Sequence, residues 1–467
     1  MQNTRVRILA IKLEGFKNTI SGIVELPSFQ RKDFFSRKSD ILGIYGQNGS
    51  GKTAIVEALS MVQTLLMGDS LSEDSLQCVS METGICTISI AFAIDSHEVK
   101  AKVDYSVTFC RNTDERYDVN SEILDVALET KGEFQKKKTL LRVDHKNGDI
   151  EFGPQYRYRE IVRESREDKI ELGVATRIAL NERRSFIFNK TSCDILLSHF
   201  KDTNTDYRII MKALYRYATL NLFVIKNDRS GGISMNLILP LAFRIEANDI
   251  ITKGDLPIRL DGPSLISKKK YDITVEIIRG MNIVLQTIIP GLSIDIHEYG
   301  QELLRDNTVG YKIQLVSKRG KIVIPLKYES EGILKIISIL NALMCAYSNP
   351  SMCLVIDELD SGVYEYLLGE ILLTFSQSGK GQLIFTSHNL RPLELLDKTS
   401  ILYSTTNPQN RYIRFQNVKT NNNMRDMYLR SITLGGQKEL IYEETDRIEI
   451  ARALRCAERA VQYDEKN

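Results

Sequence analysis

The sequence lacks the features that would place the protein in a membrane or in an oxidising compartment. No apolar run approaches the length of about 18 residues that spans a bilayer. The first residues pass almost at once into a strand-like pattern, so no secretory signal is expected. The seven cysteines form no C-x-x-C pair and have no histidine at a matching spacing, which argues against a disulfide framework or a metal site. These absences predict a cytoplasmic protein that does not enter a membrane.

The sequence also has little net charge of either sign. Its 62 Lys and Arg residues nearly balance its 60 Asp and Glu residues, for a formal charge of +2, which argues neither for nor against a polyanionic partner. Lysine triplets at residues 136–138 and 268–270 are the only notable basic clusters. Since neither is interleaved with aromatic residues, each is better explained as a solvated face. A nucleic-acid partner is not excluded, but the sequence does not indicate one.

Regular strand and helix patterns occupy both ends of the chain. Residues 6–13 and 40–45 are apolar enough to be buried strands, and the second ends in a glycine-rich turn. Behind the turn, residues 53–66 have apolar side chains at helical spacing. Residues 86–95 and 100–110 are typical of two antiparallel strands joined by a short polar turn.

Strands and helices alternate again after about residue 310, which indicates a parallel sheet covered by helices. Predicted strands and helices of this part are strands 311–316 and 321–325, helix 332–347, strand 352–356, helix 363–376, strand 382–386 and helix 443–461.

The middle of the chain has a different pattern. It is rich in Arg, Tyr, Leu and Ile and has helical windows such as residues 206–217 and 271–289. No heptad repeat is sustained over three or more repeats, so long coiled-coil arms are not expected. The prediction is an α/β fold with a parallel or mixed sheet, helices on both faces and additional antiparallel strands. Residues 1–154 and 291–467 form the two halves of this domain, and residues 155–290 form a mostly helical inserted lobe.

The strongest motif is residues 46–53, Gly-Gln-Asn-Gly-Ser-Gly-Lys-Thr, which match G-x-x-x-x-G-K-[ST] between a predicted strand and a predicted helix. Glycines let the backbone N–H groups and the helix N-terminus approach a phosphate. The pattern predicts ATP as ligand, with Lys52 on its β and γ phosphates and Thr53 as a ligand of Mg²⁺. The predicted nucleotide-binding residues here are Gly46, Asn48, Gly49, Ser50, Gly51, Lys52, Thr53 and Ala54.

Two further groups follow predicted buried strands. Asp357 and Glu358 end the apolar strand that begins at Cys353. Since open α/β sheets bind ligands at the carboxyl ends of their strands, Asp357 is predicted to hold Mg²⁺ and Glu358 to act as general base towards a water. A capping pair for the next helix is the alternative. His388 follows the next strand, where it can contact the γ-phosphate and the attacking water, although a lone histidine is more often structural.

A fourth segment precedes a predicted helix. Ser330 could cap that helix while presenting its hydroxyl group and neighbouring N–H groups to an anion. From this segment alone, an ordinary helix cap is the better explanation.

The order of these motifs resembles that of the ABC-class ATPases. The resemblance implies an ABC-type P-loop NTPase head in which the Ser-Gly signature segment of one copy closes over the ATP held by a second copy. Ser330 and Gly332 match the serine and the second glycine of that signature, whereas Glu331 replaces its first glycine. Asp360 matches the loop that crosses the dimer interface. An ATP-dependent homodimer or higher oligomer is therefore implied.

Three segments resemble a narrower group, the AAA-type ATPases related to the overcoming-lysogenisation-defect family. They are residues 325–332, 356–362 and 385–390. Several proteins of this group serve in anti-phage defence, including the ATPase subunits of the PARIS and Septu systems. The resemblance implies a sensor or scaffold subunit that controls a separate effector, either a nuclease or a toxin. Too few residues follow His388 for the Toprim nuclease that some relatives carry, so the effector is expected to be another polypeptide.

Other functions fit the sequence less well. A transporter ATPase would be shorter and carry a fuller signature, and a chromosome-tethering relative would need coiled-coil arms. A RecF-like DNA-repair ATPase remains as an alternative and predicts a basic surface. A nucleotide sensor without hydrolysis is a third class, but Glu358 and His388 favour at least slow hydrolysis.

Overall fold

The structure, a computed structural model, describes residues 4–79, 84–111, 117–199, 205–247, 250–416 and 423–464. Its strands, in chain order, are β1 (Arg5–Phe16), β2 (Thr19–Glu25), β3 (Asp40–Tyr45), β4 (Ile85–Asp95), β5 (Lys100–Arg111), β6 (Tyr117–Thr130), β7 (Glu133–Phe134), β8 (Lys138–Asp144), β9 (Asp149–Phe152), β10 (Leu222–Ile225), β11 (Ile238–Ala247), β12 (Ile250–Arg259), β13 (Ser264–Ser267), β14 (Leu292–Leu303), β15 (Val309–Arg319), β16 (Ile322–Pro325), β17 (Cys353–Ile356), β18 (Gln382–Thr386), β19 (Ile401–Ser404) and β20 (Tyr412–Ile413).

Helices connect and cover these strands. They are α1 (Pro27–Gln30), α2 (Lys52–Leu66), α3 (Glu73–Leu76), α4 (Tyr156–Glu164), α5 (Arg166–Asn181), α6 (Lys190–His199), α7 (Thr205–Leu220), α8 (Asp228–Ser234), α9 (Lys268–Ile288), α10 (Glu331–Ser348), α11 (Glu365–Ser378), α12 (Arg391–Leu395), α13 (Met424–Leu434) and α14 (Arg447–Asp464).

A six-stranded sheet carries the motifs. Its order is β10-β17-β18-β3-β19-β20, and all neighbours are parallel except the last pair. Every residue of β3, β17 and β18 is buried, which is why these strands have continuous apolar runs and not an alternating pattern. Because the strands are parallel, their carboxyl ends share one edge of the sheet, and the three predicted motifs all follow those ends.

An eight-stranded sheet packs beside it. Its order is β2-β1-β4-β5-β6-β8-β9, with β7 added to β6, and each pairing is antiparallel. The predicted pair of strands at residues 86–95 and 100–110 is β4 and β5, whose register places Asp95 opposite Lys100 at the turn. Alternate residues of both strands are buried, as expected for a sheet with one covered face.

Residues 155–290 contain more helix than strand among the described residues. Helices α5, α6 and α7 pack their apolar sides into the core of the eight-stranded sheet. Three features were not predicted: β10 lies at the edge of the six-stranded sheet beside β17, β11 and β12 form an antiparallel hairpin, and β13, β15, β14 and β16 form a separate antiparallel sheet. The strands predicted at residues 311–316 and 321–325 are therefore present as β15 and β16, but their predicted place in a parallel sheet is wrong. The predicted fold class, an α/β P-loop head with antiparallel strands and a largely helical inserted lobe, is confirmed.

Helix α10 joins two hydrophobic cores. Ile336, Ile339 and Ala342 lie in the core beneath the six-stranded sheet, whereas Leu334 and Ile337 lie in the core formed with α9 and the β11–β12 hairpin. Among the described residues it is the one helix long and apolar enough to cross a membrane, and 61% of that stretch is buried. Its hydropathy is explained by burial on two sides.

A buried carboxylate fastens the inserted lobe to the eight-stranded sheet. Glu122 on β6 accepts hydrogen bonds from Tyr105 (2.8 Å), from His145 Nε2 (2.8 Å), from the Ser185 hydroxyl group and from the Phe186 N–H (2.7 Å). Burial alone would raise the pKa of Glu122, but these partners, His145 first, hold that pKa below its ordinary value. The loop before α6 is therefore held to the sheet by the Glu122 carboxylate, and both oxygens of that carboxylate accept hydrogen bonds.

Candidate functional site

The loop between β3 and α2 needs glycine at specific positions. Gly51, the N-cap of α2, has φ +91°, a conformation that residues with a side chain rarely adopt. A side-chain carbon at Gly46 would lie 2.1 Å from the Ser404 hydroxyl oxygen on β19. The hydroxyl group of Ser50 hydrogen-bonds both to Gln47 O (2.6 Å) and to that of Ser404 (2.5 Å). The loop is thus packed closely against the neighbouring strand.

The lysine of the motif closes the loop. Lys52 Nζ donates to the carbonyl oxygens of Gly46 and Gln47, each at 2.9 Å, and the residue is 7% exposed. Burial lowers the pKa of Lys52, while the nearby carboxylates of Asp357 and Glu358 act in the opposite direction. The ammonium group therefore lies inside the curve of the loop, where it can act as a point charge on a phosphate that binds to the loop.

Oxygen atoms from three elements meet beside Lys52. Asp357 Oδ1 accepts a hydrogen bond from Thr386 Oγ1 (2.6 Å) and lies 3.4 Å from Thr53 Oγ1. Asp357 is 4% exposed. A carboxylate and a hydroxyl oxygen side by side suit Mg²⁺, which takes oxygen ligands and few protein groups. The residues that the sequence predicts for this cation are therefore adjacent and have the right chemistry.

Glu358 has an unusual backbone conformation and is hydrogen-bonded to several parts of the chain. Its φ is +48°, which is rare for a residue with a side chain. Its N–H donates to Thr386 Oγ1 (2.7 Å), its carbonyl oxygen accepts from Lys335 Nζ, and its Oε2 accepts from Asn227 Nδ2 (2.7 Å). Burial lowers the pKa of Lys335, against the opposing effect of Asp360 and the other nearby carboxylates. The surroundings thus hold Glu358 in a strained conformation.

His388 is exposed at the end of β18. Its backbone N–H and that of Asn389 both donate to Asp360 Oδ2, at 3.0 and 2.9 Å. The imidazole ring is nevertheless partly covered by its neighbours. This desolvation, followed by the positive charge of Lys52, lowers the pKa of His388 below its ordinary value, so the imidazole is neutral near pH 7. A neutral ring has one nitrogen that donates a hydrogen bond and one that accepts.

These groups surround one open cleft with a volume of about 390 Å³. Its walls are formed by Lys17, Asn18, Asn48, Gly49, Gly51, Lys52, Thr53, Ala54, Glu358, Thr386 and His388. The structure therefore brings the predicted loop, Glu358 and His388 together. The described residues that line this cleft do not include Gly46, Ser50, Asp357, Ser330, Gly332 or Asp360. Gly46, Asp357 and Asp360 lie directly beside the lining, since they accept hydrogen bonds from Lys52, Thr53 and His388 respectively.

Ser330 and Gly332 have clear structural roles at the start of α10. The Ser330 side chain caps the helix by accepting from the N–H of Ile333 (3.4 Å), so the ordinary cap is present. A side-chain carbon at Gly332 would lie 1.8 Å from the carbonyl oxygen of Gly362, which makes glycine necessary there. Glu331 accepts a hydrogen bond from the Ser234 hydroxyl group, a contact that a glycine at this position could not make.

Asp360 lies in the loop that presses against Gly332. Its Oδ2 holds the backbone before α12, as described for His388, whereas its Oδ1 is buried with no hydrogen-bond partner among the described residues. The structure places this carboxylate next to the signature segment and the His388 loop, at their junction.

Three residues that line the cleft, and one that lies behind it, Asn227, were missed from the sequence. Lys17 and Asn18 belong to the β1–β2 turn, whose pattern contains no phosphate motif. Thr386 is the last residue of β18, directly before Ser387 and His388. The strand-end rule that identified His388 could therefore also have identified Thr386. Asn227 contacts Glu358 across 131 positions of the sequence, so no local pattern could have identified it.

Comparisons with known proteins give one family and several distant structural likenesses. A profile of the family described as "AAA domain, putative AbiEii toxin, Type IV TA system" matches residues 41–394. No curated protein matches the chain.

Solved structures with a similar fold include an Smc head bound to the C-winged helix domain of ScpA, at 13% identity and a TM-score of 0.43, over 87% of this chain and 97% of that one. The SMC head domain from Thermotoga maritima has 12% identity and a TM-score of 0.36, over 88% and 99%. The ATP complex of RecF, a recombination mediator of the RecFOR pathway, has 12% identity and a TM-score of 0.35, over 86% and 97%. At these values the likenesses identify no partner or role.

The family match is more informative than these structural likenesses, because residues 41–394 include the glycine-rich loop, the signature segment, the two acids after β17 and His388. Since its profile covers well over half of the sequence, the chain belongs to the AAA domain family described as putative AbiEii toxins of type IV toxin–antitoxin systems.

Proposed function

We propose that the chain binds and hydrolyses ATP and that two copies close on the nucleotide, so that the protein acts as a switch. The observation that carries this proposal is the division of the predicted site. Most of the glycine-rich loop, Glu358 and His388 line one cleft. The signature residues Ser330 and Gly332 lie outside this lining and, in the described part of the chain, hydrogen-bond to none of its residues. A second copy of the chain would supply the missing signature segment and complete the site.

ATP would bind with its phosphates in the loop at residues 46–53, where Lys52 supplies positive charge and the N-terminus of α2 favours an anion. Thr53 and Asp357 would hold Mg²⁺, which supplies charge neutralisation on the phosphate oxygens. Thr386 fixes the orientation of Asp357 through its 2.6 Å hydrogen bond. Lys17 and Asn18 also line the cleft, where Asn18 donates to the carbonyl oxygen of Gly49, and they would contact the bound nucleotide.

Hydrolysis would use the two side chains that face the loop across the cleft. Glu358 accepts a proton from the water that attacks the γ-phosphorus, and the bond from that phosphorus to the bridging oxygen breaks. His388, neutral near pH 7, donates one hydrogen bond to the γ-phosphate or to the water. The strained backbone of Glu358 is consistent with a functional position.

The biological role we propose is that of the ATPase subunit of a bacterial anti-phage defence system. The chain would act in the cytoplasm and control a separate effector, a nuclease or a toxin. The resemblance of the signature, Asp357-Glu358 and His388 segments to defence ATPases supports this role. The family description names a putative toxin of toxin–antitoxin systems, so the separate effector rests on the resemblance alone. Closing and opening of the dimer would turn the effector off or on.

A second candidate is a RecF-like ATPase that binds nucleic acid, and one feature of the surface favours it. Loop residues Phe34 and Phe35 meet Phe134, with ring centroids 5.8 and 6.0 Å from the ring of Phe134. Lys102 Nζ lies 3.3 Å from the Phe34 centroid, and Lys100 Nζ lies 5.3 Å from that of Phe35. This basic aromatic cluster is formed by tertiary contacts, which is why the sequence did not show aromatic residues beside the lysines.

Substitution of the loop lysine tests ATP binding. Lys52→Ala should weaken ATP binding by about 100-fold, because hydrogen bonds from an ammonium group to phosphates are lost. Isothermal titration calorimetry with ATP and Mg²⁺ measures the dissociation constant. Lys12→Ala, on β1 of the eight-stranded sheet, serves as the control. In a host challenged with phage, Lys52→Ala should also abolish protection. Unchanged affinity in Lys52→Ala contradicts the assignment of the loop.

Substitution of the proposed base tests hydrolysis and closure together. Glu358→Gln should lower kcat by about 100-fold or more, since general-base catalysis is lost. With ATP bound but not hydrolysed, this variant should run at twice the 53.2 kDa chain mass in light scattering, whereas Glu370→Gln should behave as the wild type does. Hydrolysis by Glu358→Gln at the wild-type rate would show that the base is another residue.

Charge reversal tests the second candidate. Lys100→Glu with Lys102→Glu should weaken binding of labelled single-stranded DNA or RNA by about 10-fold or more at low salt, because phosphate contacts and stacking are both disturbed. Fluorescence anisotropy measures the affinity. Lys268→Glu with Lys269→Glu is the matched control, and equal binding by both double variants, or none by the wild type, removes this candidate.

A further inference from the structure

The carboxylate of Glu358 has one side-chain partner among the described residues, and that partner comes from a distant part of the chain. Asn227 Nδ2 donates to Oε2 over 2.7 Å. No described residue donates to Oε1 of the same carboxylate, and Glu358 lines the cleft. One oxygen is therefore held by the protein, while the other is available to a water molecule in the cleft.

Asn227 does not serve the purpose that asparagine usually has at its position. It is the N-cap of α8, where an asparagine side chain commonly accepts a hydrogen bond from the first turn of the helix. Here the side chain makes no such cap. Its amide group reaches instead to Glu358, which follows the neighbouring strand of the six-stranded sheet.

Hydrogen bonds fix the backbone of Glu358 on both sides of its side chain. Its N–H is held by Thr386 and its carbonyl oxygen by Lys335. With both backbone groups bonded, rotation about the side-chain bonds is what remains to be set, and the bond from Asn227 sets it. An orienting group on one side of a catalytic base is a recurring arrangement in enzymes.

The segment that carries Asn227 is itself fastened to the start of α10. The Ser234 hydroxyl group, at the end of α8, donates to Glu331 Oε1, and Ile233 is buried in the core that α10 shares with the β11–β12 hairpin. Helix α10 also supplies Lys335. Helix α10 thus fixes the positions of both the Asn227 amide and the Lys335 ammonium group. Because the helix is packed in the core, both groups are in place before substrate binds.

We propose that Asn227 is the positioning residue of the hydrolytic site: it holds Oε2 of Glu358 so that Oε1 accepts the proton of the attacking water. The proposal rests on the proposed ATPase function and adds to it a residue that touches neither nucleotide nor water. A positioning role affects the chemical step and leaves nucleotide binding unchanged.

The test is steady-state ATP hydrolysis by the full chain. Asn227→Ala should lower kcat by about 10- to 100-fold, the effect of losing a hydrogen bond to a charged group, while KM stays within about twofold. Asn227→Asp keeps the shape but replaces the donor by an acceptor, and should lose as much. Asn227→Gln keeps the donor and should recover part of the rate. Met235→Ala, at a 70% exposed residue of the same segment, should be as active as the wild type.

A double variant separates positioning from a general structural role. In a chain that already carries Glu358→Gln, adding Asn227→Ala should change the residual rate by less than about twofold, because the two residues act as one unit. An equally large further loss would overturn the proposal, as would wild-type kcat in both Asn227→Ala and Asn227→Asp. Failure of the ATPase function itself has a different signature: the wild type would not hydrolyse ATP, or Lys52→Ala would hydrolyse it normally.

Discussion

Parallel pairing of β3, β18 and β17 is the constraint on which the site depends. Their register aligns Gly43 with Phe385 and Phe385 with Ile356, so the three strands end at nearly the same level. Whatever follows each strand must then share one edge of the sheet. The Thr386 hydroxyl group ties two of these ends together, because it donates to Asp357 and accepts from the N–H of Glu358. Displacement of one strand would therefore move the loop, the acids and the histidine relative to one another.

Helix α10 extends this constraint to the other half of the proposed site. Ser330 caps the N-terminus of this helix, and Lys335, little more than one turn later, holds the carbonyl oxygen of Glu358. Gly332 packs directly on the Gly362 carbonyl group, next to Asp360, whose carboxylate holds the backbone of His388. A second copy that pressed on Ser330 would thus act on a helix joined to the acids and the histidine of the same chain. A switch needs such a link between closure and chemistry.

Much of the fold and the loop could be predicted because the necessary information is local. The motif at residues 46–53 is contiguous, and buried parallel strands appear as short apolar runs followed by acids or histidine. The rest depends on contacts between distant residues. The place of β10 beside β17 and the bond from Asn227 to Glu358 are set by the sheet order, and the basic aromatic cluster forms only when the Phe34 loop meets Phe134. The need for glycine at position 332 likewise comes from a loop that lies later in the chain.

Mixing of two inactive variants tests most directly whether two copies share each site. Lys52→Ala lacks a working loop but keeps Ser330, and Ser330→Arg has the reverse defect, so each should be inactive alone. In a mixture that exchanges subunits, the hybrid dimer contains one intact site, and two-fold symmetry predicts recovery of about a quarter of the wild-type ATPase rate. A rate no higher than that of the separate variants, with hybrid dimers present by mass, would contradict the shared site.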